Sequence, residues 1–236
     1  MMNTGTLYGI GVGPGDPELI TLKAVRALQG VDVVFTAAST KNRYSIAVEI
    51  VSPHLKDGIP IVRLNFPMTR DTDSLNRAWR QNAETVRERL YEGQNAALIT
   101  LGDPMTYSTF GYLMRTLKEE SPEVPICVIP GVTSYQAAAA AAGRVLAEGE
   151  ESFTVVSGAM GPQRLRQVVE HTDNVVMLKV YRNYRDILGA LNDLGLTRHS
   201  ILVSRCGFDG EQVITRLEDL PDEVPPYLSL LLIKKP

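Results

Sequence analysis

Short apolar runs in this chain end repeatedly in glycine-containing loops, and three of those loops share a chemistry. They are Gly11-Val-Gly-Pro-Gly-Asp-Pro17, Leu101-Gly-Asp-Pro-Met-Thr-Tyr-Ser-Thr-Phe110 and Ile129-Pro-Gly-Val-Thr-Ser134. Each follows a strand-like run and precedes a stretch that reads as helix. Strand, loop and helix in alternation imply parallel strands joined by crossover helices, because a parallel return needs a connection long enough to hold a helix. In an open α/β sheet such loops gather at the carboxyl edge of the strands, where small ligands bind. Three loops of related chemistry on one edge point to a built site.

The alternation runs through the first two thirds of the chain. Thr6–Val12, Val31–Thr36, Pro60–Asn65, Ala96–Leu101 and Pro125–Ile129 read as strands. Helical spacing appears in Thr21–Gln29 through Leu22, Val25 and Leu28, and in Asp71–Glu92 through Leu75, Trp79, Val86 and Leu90. Ser45–Val51 and Tyr107–Lys118 read as further helices. Around Arg144–Glu151 the composition turns to Gly, Glu and Ala without periodicity, which places a domain boundary there and gives domains 1–146 and 147–236. Beyond it, Phe153–Ser157, Asn174–Lys179 and Ser200–Ser204 read as strands, with helices at Pro162–His171 and Tyr184–Leu194. The tail, Gln212–Thr215 and Tyr227–Ile233, reads as two strands joined antiparallel through a Pro-rich turn. The alanine run Ala137–Ala142 forms helix and, with its small side chains, packs closely.

Several function classes are disfavoured by charge and cysteine usage. A net charge of −3 over 236 residues does not provide the basic face that phosphate-driven nucleic-acid binding needs. Cys127 and Cys206 are far apart and form no metal-ligand spacing, which favours a reducing cytoplasm over a disulfide scaffold. The N-terminus lacks the basic and apolar regions of a signal peptide, and the apolar runs are far shorter than the ~20 residues that cross a bilayer. His54, His171 and His199 are scattered, so no metal site is expected.

The first loop invites a dinucleotide reading that its spacing refuses. In Gly-x-Gly-x-x-Gly the last glycine opens the helix, but counting from Gly9 that position is Pro14 and from Gly11 it is Asp16, whose carboxylate repels a pyrophosphate. Asp16 instead suits a cap on a helix starting at Pro17, and Asp103 before Pro104 could do the same. The second loop is rich in hydroxyls, with Thr106, Tyr107, Ser108 and Thr109, and Thr133 and Ser134 add two more from the third. No P-loop is present. Hydroxyls and backbone amides suit a neutral or zwitterionic ligand better than a polyphosphate, although each hydroxyl taken alone also serves as a helix cap.

The three loops, in this order, resemble those of the tetrapyrrole methylase family. Leu64-Asn-Phe-Pro-Met-Thr69, Ala78-Trp79 and Thr100-Leu-Gly-Asp-Pro-Met-Thr-Tyr-Ser-Thr109 resemble the subgroup that methylates C20 of precorrin-2 or cobalt-factor II, and the resemblance covers nearly the whole chain. It implies two α/β domains with mainly parallel sheets, S-adenosylmethionine in the cleft between them, the tetrapyrrole on the side of domain 1–146, and a homodimer. Carried over by position, Pro14, Leu101, Gly102, Asp103, Thr106, Thr133 and Ser134 contact the cofactor. Lys179, Val180 and Cys206 of the second domain hold the adenine. Lys179 stands near an often apolar position and Cys206 near a frequent glycine, both departures from the family pattern.

The resemblance also implies the reaction. A meso carbon of a reduced tetrapyrrole attacks an activated methyl in line, so positioning supplies much of the acceleration. The carboxylates of such a substrate call for cations. Lys41 and Arg43 are the candidates, with Arg70 and Arg77 behind them and Ser108 and Thr109 as neutral contacts. Asp16 and Tyr107 are candidate proton handlers, each open to a purely structural role. Three alternatives remain: methylation at another corrin position or of uroporphyrinogen III, diphthine synthesis, and a noncatalytic S-adenosylmethionine or tetrapyrrole binder.

Overall fold

The computed structural model describes residues 4–38, 45–219 and 224–236. They divide into two compact units, Met1–Thr133 and Ser134–Pro236.

The first unit is built on five strands, β1 (Leu7–Gly11), β2 (Val33–Ala38), β3 (Ile61–Asn65), β4 (Ala96–Thr100) and β5 (Ile126–Ile129), in the order β3-β2-β4-β1-β5. Every pairing in it is parallel. Helices α1 (Leu22–Gly30), α2 (Ile46–Val51), α3 (Thr72–Tyr91) and α4 (Phe110–Glu120) lie in the connections. A parallel sheet covered on both faces needs strands apolar throughout. β4, Ala-Ala-Leu-Ile-Thr, meets this with all five residues buried. One face packs Leu7, Val33, Phe35, Ala96 and Leu98 against Val86 and Leu90 of α3 and Leu113 and Leu117 of α4. Asp71 caps α3, its carboxylate accepting the N–H groups of Asp73 and Ser74. Thr21 caps α1 through Ala24 N–H. The cap expected of Asp16 is present, but it closes a single 3₁₀ turn, Pro17–Leu19, ahead of α1.

The second unit begins with α5 (Ser134–Ala141), so the alanine helix counts with this unit, ahead of the composition change at 144–151. Its Ala138 and Ala139 lie against Val176, Ile201, Val203, Leu230 and Leu232, as small side chains in a close contact should. The sheet contains β6 (Phe153–Ser157), β7 (Asn174–Leu178), β8 (Ser200–Ser204), β9 (Gln212–Ile214) and β10 (Ser229–Lys234), in the order β6-β7-β10-β8-β9. Helices α6 (Gln163–Val168) and α7 (Tyr184–Asp193) pack on the face opposite α5. β6 and β7 are parallel, while β10 runs antiparallel to both β7 and β8. The two tail strands therefore do not pair with each other, contrary to the hairpin-like reading of the sequence. β10 inserts between β7 and β8, and β9 takes the outer side of β8. Burial explains this: β10 buries Ser229 to Ile233 and belongs in the centre, whereas β9 has no buried residue and suits an edge.

Candidate active site

The three loops meet because their strands are neighbours. β4, β1 and β5 are consecutive in the first sheet and parallel, so Thr100, Gly11 and Ile129 end side by side. The loops then pack backbone against backbone. Gly13 and Gly102 exchange hydrogen bonds, Gly102 N–H to Gly13 O at 2.7 Å and Gly13 N–H to Gly102 O at 3.3 Å. A Cβ on Gly131 would lie 2.2 Å from Gly102 O, and one on Gly11 would lie 2.6 Å from both that oxygen and Gly131 N. No side chain fits at either position. Gly102 itself is buried with φ +71, yet a Cβ there would meet nothing nearer than 3.9 Å, at Thr133 Cα and Val132 O. The backbone leaves room on that side for a group that approaches it closely.

Asp103 ties two of the loops together. Its Oδ1 accepts Met105 N–H at 2.8 Å and lies 3.4 Å from the Thr106 hydroxyl, while Oδ2 accepts Gly131 N–H at 3.1 Å. It caps no helix, since α4 starts only at Phe110. Ser108 Oγ accepts Phe110 N–H at 3.1 Å, so that hydroxyl is committed to the approach to α4. Thr109 precedes α4 without a side-chain cap bond. Asp16 Oδ1 is engaged by Glu18 N–H at 2.8 Å. Pro14 and Thr133 are buried, and Leu101 and Thr106 half-buried. Thr133 ends the first unit and Ser134 opens α5 of the second. The structure thus gathers Pro14, Leu101, Gly102, Asp103, Thr106 and Thr133 at one sheet edge. Tyr107 stands 52% exposed with φ +50. Lys41 and Arg43 lie outside the described residues, and Arg77 donates to Ser74 Oγ at 3.0 Å within α3.

The second unit repeats the pattern of strand-end loops in its own sheet. β6, β7 and β8 point the same way, so the residues after them share an edge. Lys179 after β7 and Arg205 after β8 both take the left-handed conformation, with φ of +59 and +53. Non-glycine residues held there concentrate at functional sites. Arg205 carries no sequence signature, being neither Gly nor Asn, and was legible only through its neighbour Cys206. Asn183 Nδ2 donates to the carbonyls of Gly158 and Ala159, both at 3.0 Å, which joins the turns after β6 and β7. Val180 is fully buried. Burial, and then the neighbouring Glu211, push the Cys206 thiol up to about 12, which makes it a neutral, inert thiol at physiological pH. The first edge offers backbone, hydroxyl and small side chains, and the second adds the side chains of Lys179, Asn183, Arg205 and Cys206.

Residues 6–221 match the family model of Tetrapyrrole (Corrin/Porphyrin) Methylases. The chain belongs to this family. A cobalt-precorrin-2 C(20)-methyltransferase of Salmonella typhimurium is 32% identical over 98% of this chain and 97% of its own length. A precorrin-2 C(20)-methyltransferase of Sinorhizobium sp is also 32% identical, over 98% and 96%. Among solved structures, the uroporphyrin-III C-methyltransferase of Thermus thermophilus complexed with S-adenyl homocysteine is 26% identical with a TM-score of 0.69, covering 98% of each chain. The two-unit α/β architecture, a parallel five-stranded sheet followed by a second sheet, is that of a tetrapyrrole methylase.

Proposed function

We propose that this methylase transfers a methyl group from S-adenosylmethionine to C20 of precorrin-2 or cobalt-factor II in cobalamin biosynthesis. The observation that carries the reading is the end-to-end likeness to C20-methyltransferases of both branches, together with a sheet edge built of touching glycines. S-adenosylmethionine supplies a methyl already activated on a cationic sulfur. The residues fit such a group: a zwitterion with an adenosine needs hydroxyls, carbonyls and close backbone approach, and no cationic phosphate cradle. Gly102 admits the group next to the main chain. Leu101, Thr106, Thr133 and Ser134 offer backbone and hydroxyl partners, with Pro14 beside them. Asp103 acts mainly by holding the 101–106 and 130–134 segments together, which fixes the donors before the ligand arrives. Lys179, Val180 and Cys206 are the proposed adenine contacts, Cys206 as a neutral thiol. Lys41, Arg43, Ser108 and Thr109 are the proposed substrate contacts. Asp16 Oδ1 accepts the Glu18 N–H as an N-cap, and Asp16 and Tyr107 are the proposed proton handlers. A homodimer in the cytoplasm completes the reading, by analogy with the family and with a cysteine usage suited to a reducing compartment.

The test is methyl transfer to precorrin-2 and to cobalt-factor II side by side, with mass and NMR locating the methyl. One methyl at C20 of one acceptor is the expected result and identifies the branch. Transfer to neither, with S-adenosylhomocysteine still bound, sinks the C20 assignment and leaves a methylase of another substrate.

A further inference from the structure

Along one face of β1 the side chains shrink towards the candidate site. Residues alternate across a strand, so Leu7, Gly9 and Gly11 share a face. Leu7 belongs to the core that α3 and α4 cover. Gly11 admits the backbone of the neighbouring loops, as its contacts with Gly102 and Gly131 show. Gly9 makes room for something else. It lies inside a central strand, opposite Leu98 of β4 and Val128 of β5, where a glycine weakens the sheet and marks a close approach. A Cβ there would lie 2.2 Å from Cζ of Phe110, 2.4 Å from Cε2 and 2.6 Å from Cε1. The tip of that ring occupies the space of the missing side chain. Phe110 is fully buried among the core residues of the sheet, so the ring has nowhere to swing.

Phe110 is also the first residue of α4 and hence the exit of the hydroxyl-rich loop. Ser108 Oγ accepts its N–H at 3.1 Å. The entry of the loop is fixed separately, by the exchange between Gly102 and Gly13 and by Asp103, which holds Met105 N–H and Gly131 N–H. Between these two anchors Tyr107 stands at φ +50, a conformation that a tyrosine keeps only where its surroundings impose it.

We infer that Phe110 is a positioning residue: seated on Gly9, it fixes the exit of the 103–109 loop and so sets where the Thr106 hydroxyl meets the methyl donor. This deepens the methyltransferase reading and rests on it for the ligand. Held at its entry alone, the loop would relax at Tyr107 and carry Thr106 with it.

The test uses Phe110→Leu, which withdraws the ring tip, and the double variant Gly9→Ala/Phe110→Leu, which returns a methyl to the vacated space. Leu117→Val, at an equally buried position of the same helix, controls for lost packing alone. Hydrogen exchange at 105–109 is followed in the unliganded full chain and S-adenosylhomocysteine binding by calorimetry, both well below each variant's melting temperature. Phe110→Leu should speed that exchange by about tenfold and weaken S-adenosylhomocysteine by about fivefold. Leu117→Val should leave both as in wild type, and the double variant should recover both. A Phe110→Leu loop that exchanges as wild type does overturns the anchor. Faster exchange with unchanged S-adenosylhomocysteine affinity overturns the positioning role, as does an equal loss in Leu117→Val. A double variant that recovers neither overturns the assignment to Gly9. If Phe110→Leu does not fold, Phe110→Met, long but without a ring, is read by the same criteria. Wild type that binds no S-adenosylhomocysteine overturns the cofactor reading and the role given to Thr106, while the exchange series still decides the anchor.

Discussion

At the scale of single residues, the candidate site rests on glycines whose replacement has opposite consequences depending on what surrounds them. Gly131→Ala drives a Cβ to 2.2 Å from Gly102 O, a backbone atom that cannot move aside without parting the two loops. It should cost about 1–3 kcal/mol of stability, in the range of overpacked sites, and abolish S-adenosylhomocysteine binding. Gly111, on α4, has nothing within 4 Å of its built Cβ, so Gly111→Ala should stabilise by up to ~1 kcal/mol through helix propensity. Urea midpoints for the two variants check both signs, and a destabilised Gly111→Ala would mean that the local geometry is misjudged. Cys206 gives a second residue-scale prediction. With its thiol pushed up to about 12 by burial and Glu211, it should resist iodoacetamide at pH 8, and mass spectrometry should find it modified far more slowly than free glutathione. Its sign for stability follows from the same shift. A thiol that ionises later in the folded chain favours folding less as pH rises from about 9 towards 12, because there the unfolded chain releases its proton first. Little of this could be read beforehand. That Asp103 would serve the neighbouring loop, and not a helix of its own, depends on Gly131 arriving from another strand, a contact 28 positions away that no local pattern encodes.

At the scale of elements, the test is the strand that reads least plausibly in sequence. Leu231 in β10 is fully buried between β7 and β8, so Leu231→Ala should cost about 2–5 kcal/mol by chemical denaturation. An edge position would have made the same change mild. The first sheet was legible because each of its strands is a short apolar-rich run followed by a helix, so local pattern and topology carry the same information. The second sheet was less so. The segment 229–234 shows its apolarity plainly, but its insertion between β7 and β8 follows from global burial, and the Pro-rich stretch before it suggested a simple hairpin. The amino end of β7 and carboxyl end of β10 are joined by Glu151, whose carboxylate takes Lys234 Nζ at 2.9 Å and Asn174 Nδ2 at 3.2 Å. The hydrogen bond from Lys234, above all, holds Glu151 below its usual 4.5. Since the folded value is the lower one, the contribution is complete above 4.5 and is lost as pH falls through the folded value. The gap in urea midpoint between wild type and Glu151→Gln should therefore be constant from pH 6 to 8 and close in acid. A gap that persists undiminished in strong acid would assign it to packing instead.

At the scale of the whole molecule, the question is whether one ligand answers to both units. The proposed cofactor contacts fall at the carboxyl edge of the parallel sheet, in 101–106 and 131–133, and after β7 and β8 of the second sheet, at Lys179, Val180 and Cys206. Each edge has the marks of a ligand site on its own terms: tightly packed glycines with room beside Gly102 in the first, two left-handed non-glycine residues in the second. A ligand that binds only the folded state stabilises it by about 2.7 kcal/mol at a hundredfold excess over Kd, and the amides it orders exchange more slowly. Hydrogen exchange on the full chain, with and without S-adenosylhomocysteine, should accordingly slow at 101–106 and 131–134 and, in the same titration, at 179–181 and 205–207. Protection confined to the first set would assign the cofactor to one sheet and leave the strain at Lys179 and Arg205 to some other purpose. Protection in both sets, lost together in Gly131→Ala while the unliganded variant exchanges as wild type does, is the outcome expected of one ligand held by residues of both units.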